Sequence, residues 1–503
     1  MTFKIKWEKL LNETREKYKD KKPTLKEVDQ AVVEKDPDIN FIMEHRNQFE
    51  RDYDRVMSSS SLRRLQDKAQ VFPLQESDFI RTRLTHSMEV SAIARSFGKW
   101  LDMWLSKEGF LKEKDFGKIP AILATAGLVH DIGNPPFGHY GEDVIKKWFK
   151  SFFDESHKEE KLKLTEEEKN DFLSFDGNAQ GIRVLSRLQF LNDQYGINFT
   201  YGTLSVLIKY PWDSSYSIAE NKNKFGYFYQ DQQFAKGILE STVGIDKCRN
   251  PLTYFLEASD DIAYLGADVE DGVKKGIIPW ERVFEKEICG NAEIYDAYKE
   301  YIDDLKQKHD KAKENNFPDY LLTSVQNFKV WAQGQMIREV KQVFIENYKV
   351  IMNGEFGTEE LLKKTNNARL LQALFKDLLS TYCFPDKEVL SLELIGDSVL
   401  SDLLNIFVKE CVMDESYLDE KKNEYSLASS RPKSGKLFKM ISSNFVFVHC
   451  LPEEKGKINK KKYKNIQDLN HYSRLLLVTD FISGMTDSYA VDLHQKLKGV
   501  KMP

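Results

Sequence analysis

Residues 127 to 142 read GLVHDIGNPPFGHYGE and gather two histidines and two acidic residues around a Gly-Asn-Pro-Pro break. The whole chain holds nine histidines in 503 residues. His130 and Asp131 form a doublet at the end of an apolar stretch. Neighbouring side chains on a regular helix point about 100° apart and converge poorly on one partner. At a helix end the backbone is freer, and both can reach one ion. The doublet has company. TRLTHSMEV supplies His86, and EASDDIAYLGADVED supplies Asp260 and Asp261 inside an apolar helical face. Two imidazoles and two carboxylates suit a borderline-to-hard divalent ion such as Mn, Mg, Fe, Co or Zn, with open positions for water or phosphate oxygen. Aspartates set among Leu, Ile and Ala are costly unless paired or coordinated. Past the break, His139 and Glu142 stand three apart, on one face of a new helix. A carboxylate beside an imidazole fixes its tautomer and raises its basicity, as general acid/base chemistry requires.

The elements that position these residues read as helices. SMEVSAIARSFGKWLDMWL (87–105) places Val90, Ile93, Ala94, Phe97, Leu101 and Leu105 at three- and four-residue steps. AILATAGLV (121–129) precedes the doublet, and that helix is expected to stop just past Asp131. Gly133 is the expected left-handed terminator, and Pro135 and Pro136 cannot continue the pattern. Stretches 178–190, 252–273 and 367–384 show the same period. Period-two runs are rare; one short hairpin is expected near NKFGYFYQ (223–230). The charge run 154–172 reads as a solvated helix or surface insertion, and the basic segment 454–465 as a solvated loop. The expected fold class is therefore all-α. It comprises an N-terminal helical segment (1–60), a core carrying the site (61–290) and a C-terminal helical region (291–503) that completes the pocket and any oligomer contacts.

Composition bounds the function. Apolar residues make up 41% and charged residues 30%, ordinary for a globular chain. A net charge of −5 excludes a built-in polyanion binder, so phosphate recognition must come from local Lys and Arg. Cys248, Cys289, Cys383, Cys411 and Cys450 are dispersed, which argues against a disulfide framework or a cysteine zinc site and for a reducing cytoplasm. The N-terminus lacks an apolar signal region, and no run approaches a membrane span.

His86, then His130-Asp131, then Asp260 resembles the H…HD…D signature of HD-domain metal phosphohydrolases. More specifically, the chain resembles the bacterial deoxyguanosine triphosphate triphosphohydrolase (dGTPase) family. The resemblance runs through FERDYDRVMSSSSLRRLQDKAQVFPL (49–74), RTRLTHSMEV (81–90), GLVHDIGNPPFGHYGE, FDGNAQGIRVLSRL (175–188), LIKYPW (207–212), NPLTYFLEASDDIAYLGADVEDG (250–272) and TDFISGMTDSYAVD (479–492). It implies an HD-domain helical core with added C-terminal helices and at most a small hairpin. It implies that His86, His130, Asp131 and Asp260 hold a divalent metal, Mn or Mg first, with Co, Fe or Zn as alternatives. Asp260 is preferred to Asp261 because the family places a Tyr four residues and an Asp eight residues after the ligand, here Tyr264 and Asp268. His139 and Glu142 match the catalytic pair. Arg83, Lys209 and Tyr210 match phosphate contacts, and Gln70 and Asp268 match the pair on the sugar 3′-hydroxyl. Tyr264 would select deoxyribose. Asn134 stands where some relatives carry His; Asn178 and Arg474 are further candidates. The implied reaction is dGTP plus water to deoxyguanosine and triphosphate. The resemblance also implies a homo-oligomer, hexamer or tetramer, and a nucleotide or single-stranded DNA effector. Two rival readings remain. One is an HD phosphohydrolase with a broader dNTP set or another nucleotide; the other is a non-catalytic nucleotide sensor. Cyclic-dinucleotide relatives continue the doublet with Gly-Lys, where this chain has Gly133-Asn134.

Overall fold

A computed structural model describes residues 3–19, 46–72, 80–155, 162–189, 195–220, 222, 224–414, 433–450 and 469–502. The fold is all-α. Among the described residues, β-pairing is limited to two isolated bridges, Arg15 with Thr200 and Ala69 with Thr82. The helices that build the site and its support are α1 (Gln48–Met57), α2 (Arg83–Lys107), α3 (Lys118–Val129), α4 (Gly138–Asp154), α5 (Gly177–Arg183), α6 (Tyr201–Leu207) and α7 (Pro251–Lys274). They continue with α8 (Tyr320–Met352), α9 (Ala368–Leu378), α10 (Lys387–Leu404), α11 (His471–Ser483) and α12 (Asp487–Leu497).

Helices α2 and α3 are antiparallel and unusually close. A Cβ on Gly127 would lie 2.8 Å from the Ser91 backbone, and one on Gly98 would lie 2.6 Å from Pro120 Cα. The missing side chains let the backbones meet. The approach brings the start of α2, with His86, against the end of α3, with His130. Thr82 starts α2 through a capping box with Thr85. Helix α7 lies across both; Phe255 packs 5.2 Å from Phe97 and 4.5 Å from Phe344 of α8. Asn250 caps α7 by accepting from Leu252 N, and Pro251 suits the first turn.

The apolar residues form two cores. One joins α1, α2, α3, α6, α7, α8 and α9; the other joins α4, α10, α11 and α12 with the aromatic row Trp148, Phe149, Phe152 and Phe153. Burying such aromatics removes roughly 150–250 Å² each from water.

Three local expectations change. Helix α3 ends at Val129, one residue before the doublet, and Gly133 is not its left-handed terminator. Gly133 is required by contact instead: a Cβ there would lie 1.9 Å from Gly177 O. In this stretch the left-handed residues are Phe137, just before α4, and Gly138, its first residue. No strand forms among the described residues of 223–230; Gly226 N instead donates to Trp212 O. The chain turns there against the 210–212 backbone, so period-two aromatics line a core rather than a sheet. Within 154–172, Glu166–Leu173 is a helix with Asp171 and Phe172 buried, so the run is solvated on one face only. The basic segment 454–465 lies outside the described residues.

Candidate active site

Three of the four candidate ligands converge. His86 Nε2 lies 3.0 Å from Asp260 Oδ1, and His130 Nε2 lies 3.5 Å from the same oxygen. The two imidazole rings stand edge to face at 5.3 Å. His130 Nδ1 donates to Gly127 O at 2.8 Å, which leaves Nε2 to carry the lone pair. That nitrogen is buried without a hydrogen-bond partner. A lone-pair nitrogen facing a carboxylate oxygen is unfavourable unless a proton or a cation lies between them. Burial alone would lower the His130 pKa; the Asp131 and Asp260 carboxylates overcome it and raise it to about 9. Burial would raise Asp260, but the two imidazoles hold it well below the usual carboxylate range. The donor set, two imidazoles and an ionised carboxylate with an orphaned nitrogen, fits a divalent cation.

Asp131 stands at the edge of this group. Its Oδ1 is 3.6 Å from His130 Nε2 and accepts from Asn134 Nδ2 at 2.6 Å, while Oδ2 accepts from Arg83 Nη1 at 3.0 Å. Arg83 is therefore buried beside the triad, close under Gly138, where a Cβ would meet its Nη2. Asp261, one residue from the ligand, points elsewhere and accepts from Gln372 Nε2 at 2.8 Å.

The second candidate pair also meets. His139 Nδ1 lies 3.4 Å from Glu142 Oε2. His139 is 75% exposed while Glu142 is buried, so the ring stands in solvent on a fixed base. Glu142 also accepts from Lys224 Nζ at 2.8 Å and from Gly177 N at 2.8 Å. Burial opposes its ionisation, yet His139 and Lys224 hold it well below the usual range. Gly177 must be glycine: a Cβ would lie 2.3 Å from Asn134 Oδ1 and 2.7 Å from Glu142 Oε1.

A cleft of about 500 Å³, part of it open to solvent, runs past the triad. His130, Asp260, Asn178, Lys209 and Glu257 are among its lining residues. Lys209 Nζ pairs with Glu257 Oε1 at 3.2 Å, and Arg249 takes the other oxygen at 3.1 Å. Burial would strip the lysine of its proton; Glu257 first, then Tyr210, keep it charged. Asn178 is held by Asp176 through N and Nδ2, both at 2.8 Å. Tyr210 sits beneath the Lys209 ammonium at 5.6 Å. Tyr264 is one turn beyond Asp260 on α7, packed against the first core. Asp268 is buried, and burial, then Asp271, pushes it well above the carboxylate range. Gln70 Oε1 is buried without a partner. Arg474 is buried on α11 and is not among the cleft-lining residues.

Lys224, Glu257 and Asp176 escaped the sequence reading. Glu257 had a signal, lying three before Asp260 on the same helical face. Asp176 is the second residue of the FDGNAQG stretch. Lys224 had none: its partner is 82 positions away.

A helical core holding a His-His-Asp constellation defines a class, and the comparisons agree. Residues 83–183 match the HD domain family, and residues 446–496 match the phosphohydrolase-associated domain. The chain is 40% identical to the deoxyguanosinetriphosphate triphosphohydrolase-like protein of Listeria monocytogenes, covering 99% of this chain and 100% of the relative. It is 32% identical to a like-named protein of Synechocystis, over 91% of this chain and 95% of that one. It is 30% identical to the deoxyguanosinetriphosphate triphosphohydrolase of Yersinia pseudotuberculosis, over 89% and 93%. The chain belongs to the deoxyguanosinetriphosphate triphosphohydrolase family of HD-domain hydrolases. None of its described helices is long and apolar enough to cross a membrane.

Proposed function

We propose that the chain hydrolyses deoxynucleoside triphosphates, dGTP first, to the deoxynucleoside and inorganic triphosphate. The observation that carries this is the orphaned His130 Nε2 facing the Asp260 carboxylate, beside a cleft lined by Lys209. His86, His130 and Asp260, with Asp131 at the edge, would hold a divalent cation, Mn or Mg. When bound there it supplies Lewis-acid charge to the phosphate oxygens. Arg83 and Lys209 would bind and orient the phosphates; Lys209 would exchange Glu257 for a phosphate oxygen. A water oxygen bonds to the α-phosphorus and gives up its proton to solvent, and the bond from that phosphorus to O5′ breaks. His139, anchored by Glu142, would deliver a proton at O5′, making the departing group a neutral alcohol. Gln70, an unfilled acceptor, and Asp268, whose pKa burial raises, would take the sugar 3′-hydroxyl. Tyr264 would fill the space of a 2′-hydroxyl, and Tyr210, Asn134 and Asn178 would shape the phosphate end.

Incubation with separate dNTPs and Mn or Mg, followed by ion chromatography, tests the reading. Deoxyguanosine and triphosphate should appear together and should be absent in His130→Ala. Release of orthophosphate or pyrophosphate alone would sink it. Equal rates with all four dNTPs would replace dGTP preference by the broader reading. A cytoplasmic homo-oligomer is part of the same proposal. Leu390, Leu394 and Ile395 of α10 are 44%, 70% and 47% exposed, an apolar face suited to C-terminal contacts. Light scattering on the purified chain tests the assembly.

A further inference from the structure

A second cavity, of about 630 Å³ and open to solvent, lies between the turn 60–68 and the C-terminal segments at Ser442–Phe445 and Gly484. It shares no lining residue with the cleft at the metal triad. Its wall carries two cations, Arg64 and Lys68, one helical turn apart. Arg64 Nη1 donates to Gly484 O at 3.2 Å. Lys68 is buried, and its Nζ donates to Asn134 O and, at 3.2 Å, to Ser483 O. Among the described residues no carboxylate lies within 4.0 Å of either cation. Asp487, the nearest acid acting on Lys68, spends its oxygens on Ala69 N and Phe137 N. Carbonyls orient an ammonium but do not neutralise it; burial pushes the Lys68 pKa down to about 7 against the pull of Asp487, and an anion beside it would favour the charged form. The rest of the wall mixes polar Ser61, Ser442 and Asn444 with apolar Leu65, Ile132 and Phe445.

We propose that this cavity is an anion site that takes a phosphate group between Arg64 and Lys68. The guanidinium and ammonium supply charge-assisted hydrogen bonds, and the serine hydroxyls fill remaining oxygens. The site adjoins the metal region: Ile132, next to Asp131, lines it, and Lys68 holds the carbonyl of Asn134, whose side chain holds Asp131.

The test is thermal shift and calorimetric titration of the full chain in EDTA, against sodium chloride at matched ionic strength. The probes are inorganic phosphate, inorganic tripolyphosphate and deoxyguanosine monophosphate. The wild type should gain melting temperature with at least one probe. Arg64→Ala, an exposed position that should fold, is expected to weaken that binding by roughly tenfold or more, while Arg64→Lys restores part of it. Lys68→Met is informative only if it folds, so Arg64 carries the test. Lys209→Ala, which alters the other cleft, should leave the binding in place. Phosphate or tripolyphosphate binding alone assigns a free anion; tighter binding of the monophosphate assigns the phosphate of a larger molecule that uses Phe445. Absence of any shift beyond chloride overturns the proposal. So does binding lost in Lys209→Ala but kept in Arg64→Ala, which would place the anion in the catalytic cleft.

Discussion

Two buried histidine–aspartate clusters sit in this molecule, and they differ in where the positive charge comes from. At the first, His86, His130 and Asp260 face one another with His130 Nε2 unpartnered. At the second, Asp480 accepts from Arg183 Nε at 2.8 and 2.9 Å, from Gln180 Nε2 at 2.9 Å, and meets His449 Nε2 at 2.8 Å. Arg183 also reaches Asp231 at 3.1 Å. The second cluster carries its own cation and fastens α11 to α5; the first leaves a place for one. Residue type alone does not separate a structural cluster from a chemical one. The partner of the shared carboxylate does: Asp480 holds the Arg183 guanidinium, whereas, among the described residues, Asp260 faces only the two imidazoles.

The comparison makes opposite predictions for matched substitutions. Replacing His130 by Ala or Asp260 by Asn should cut triphosphate release by about 10³-fold or more, since the charge supplied at the phosphate is lost. Melting temperature should hardly fall. Dialysis against EDTA should do the same to the wild type, with recovery on Mn or Mg; activity that survives chelation would erase the distinction. Arg183→Met should behave the other way. It leaves Asp480 buried without its guanidinium, while Asp231 keeps Arg187 at 2.7 Å, and chemical denaturation should report a loss of about 3–5 kcal/mol. Metal stoichiometry of the folded fraction should stay intact.

How much of this was legible beforehand follows from the range of the interactions. The all-α class and the helix faces were readable because a 3.6-residue period is local: Val90, Ala94, Phe97 and Leu101 are all buried as spaced. The doublet and His86 were readable because motifs keep their order along the chain. The choice of Asp260 over Asp261 came from resemblance; in the structure Asp260 stands with the two imidazoles and Asp261 turns to Gln372. What escaped depends on contacts across the fold. Gly133 looked like a helix stop, but its reason is the Gly177 carbonyl pressed against it. Aromatics at 225–228 looked like a hairpin because alternation cannot tell a sheet face from a chain packed on Trp212. The Lys209–Glu257 pair was hidden because a cation's partner is set by packing, not spacing.

Lys224 tests a smaller step of the same logic, a cation that serves the carboxylate proposed for catalysis. It shares Glu142 Oε2 with His139, so Lys224→Met should leave Glu142 less firmly placed. The expected result is a fall in kcat of about tenfold, with KM and metal content little changed. A change confined to KM would instead put Lys224 on the substrate.

The smallest effect completes the series with a buried carboxylate that has neither metal nor cation. Asp102 on α2 is buried and accepts only from Gly117 N, at 2.6 Å; its Oδ1 has no partner. Burial, partly offset by that N–H, pushes its pKa up to about 6 from 3.8. The folded state thus holds a proton that the unfolded chain releases near 3.8. Its contribution to stability is complete below that value, shrinks as pH climbs toward about 6, and is gone above it. Asp102→Asn, which keeps an acceptor for Gly117 N without a charge, should therefore match the wild type near pH 4. It should exceed it by about 1–3 kcal/mol at pH 7, the discounted equivalent of the shift. Denaturant midpoints of both proteins across that range measure the difference, which cancels the titration of every other group. A difference that does not grow with pH would mean that Asp102 is ionised and satisfied in the fold, and that a buried carboxylate here needs no cation after all.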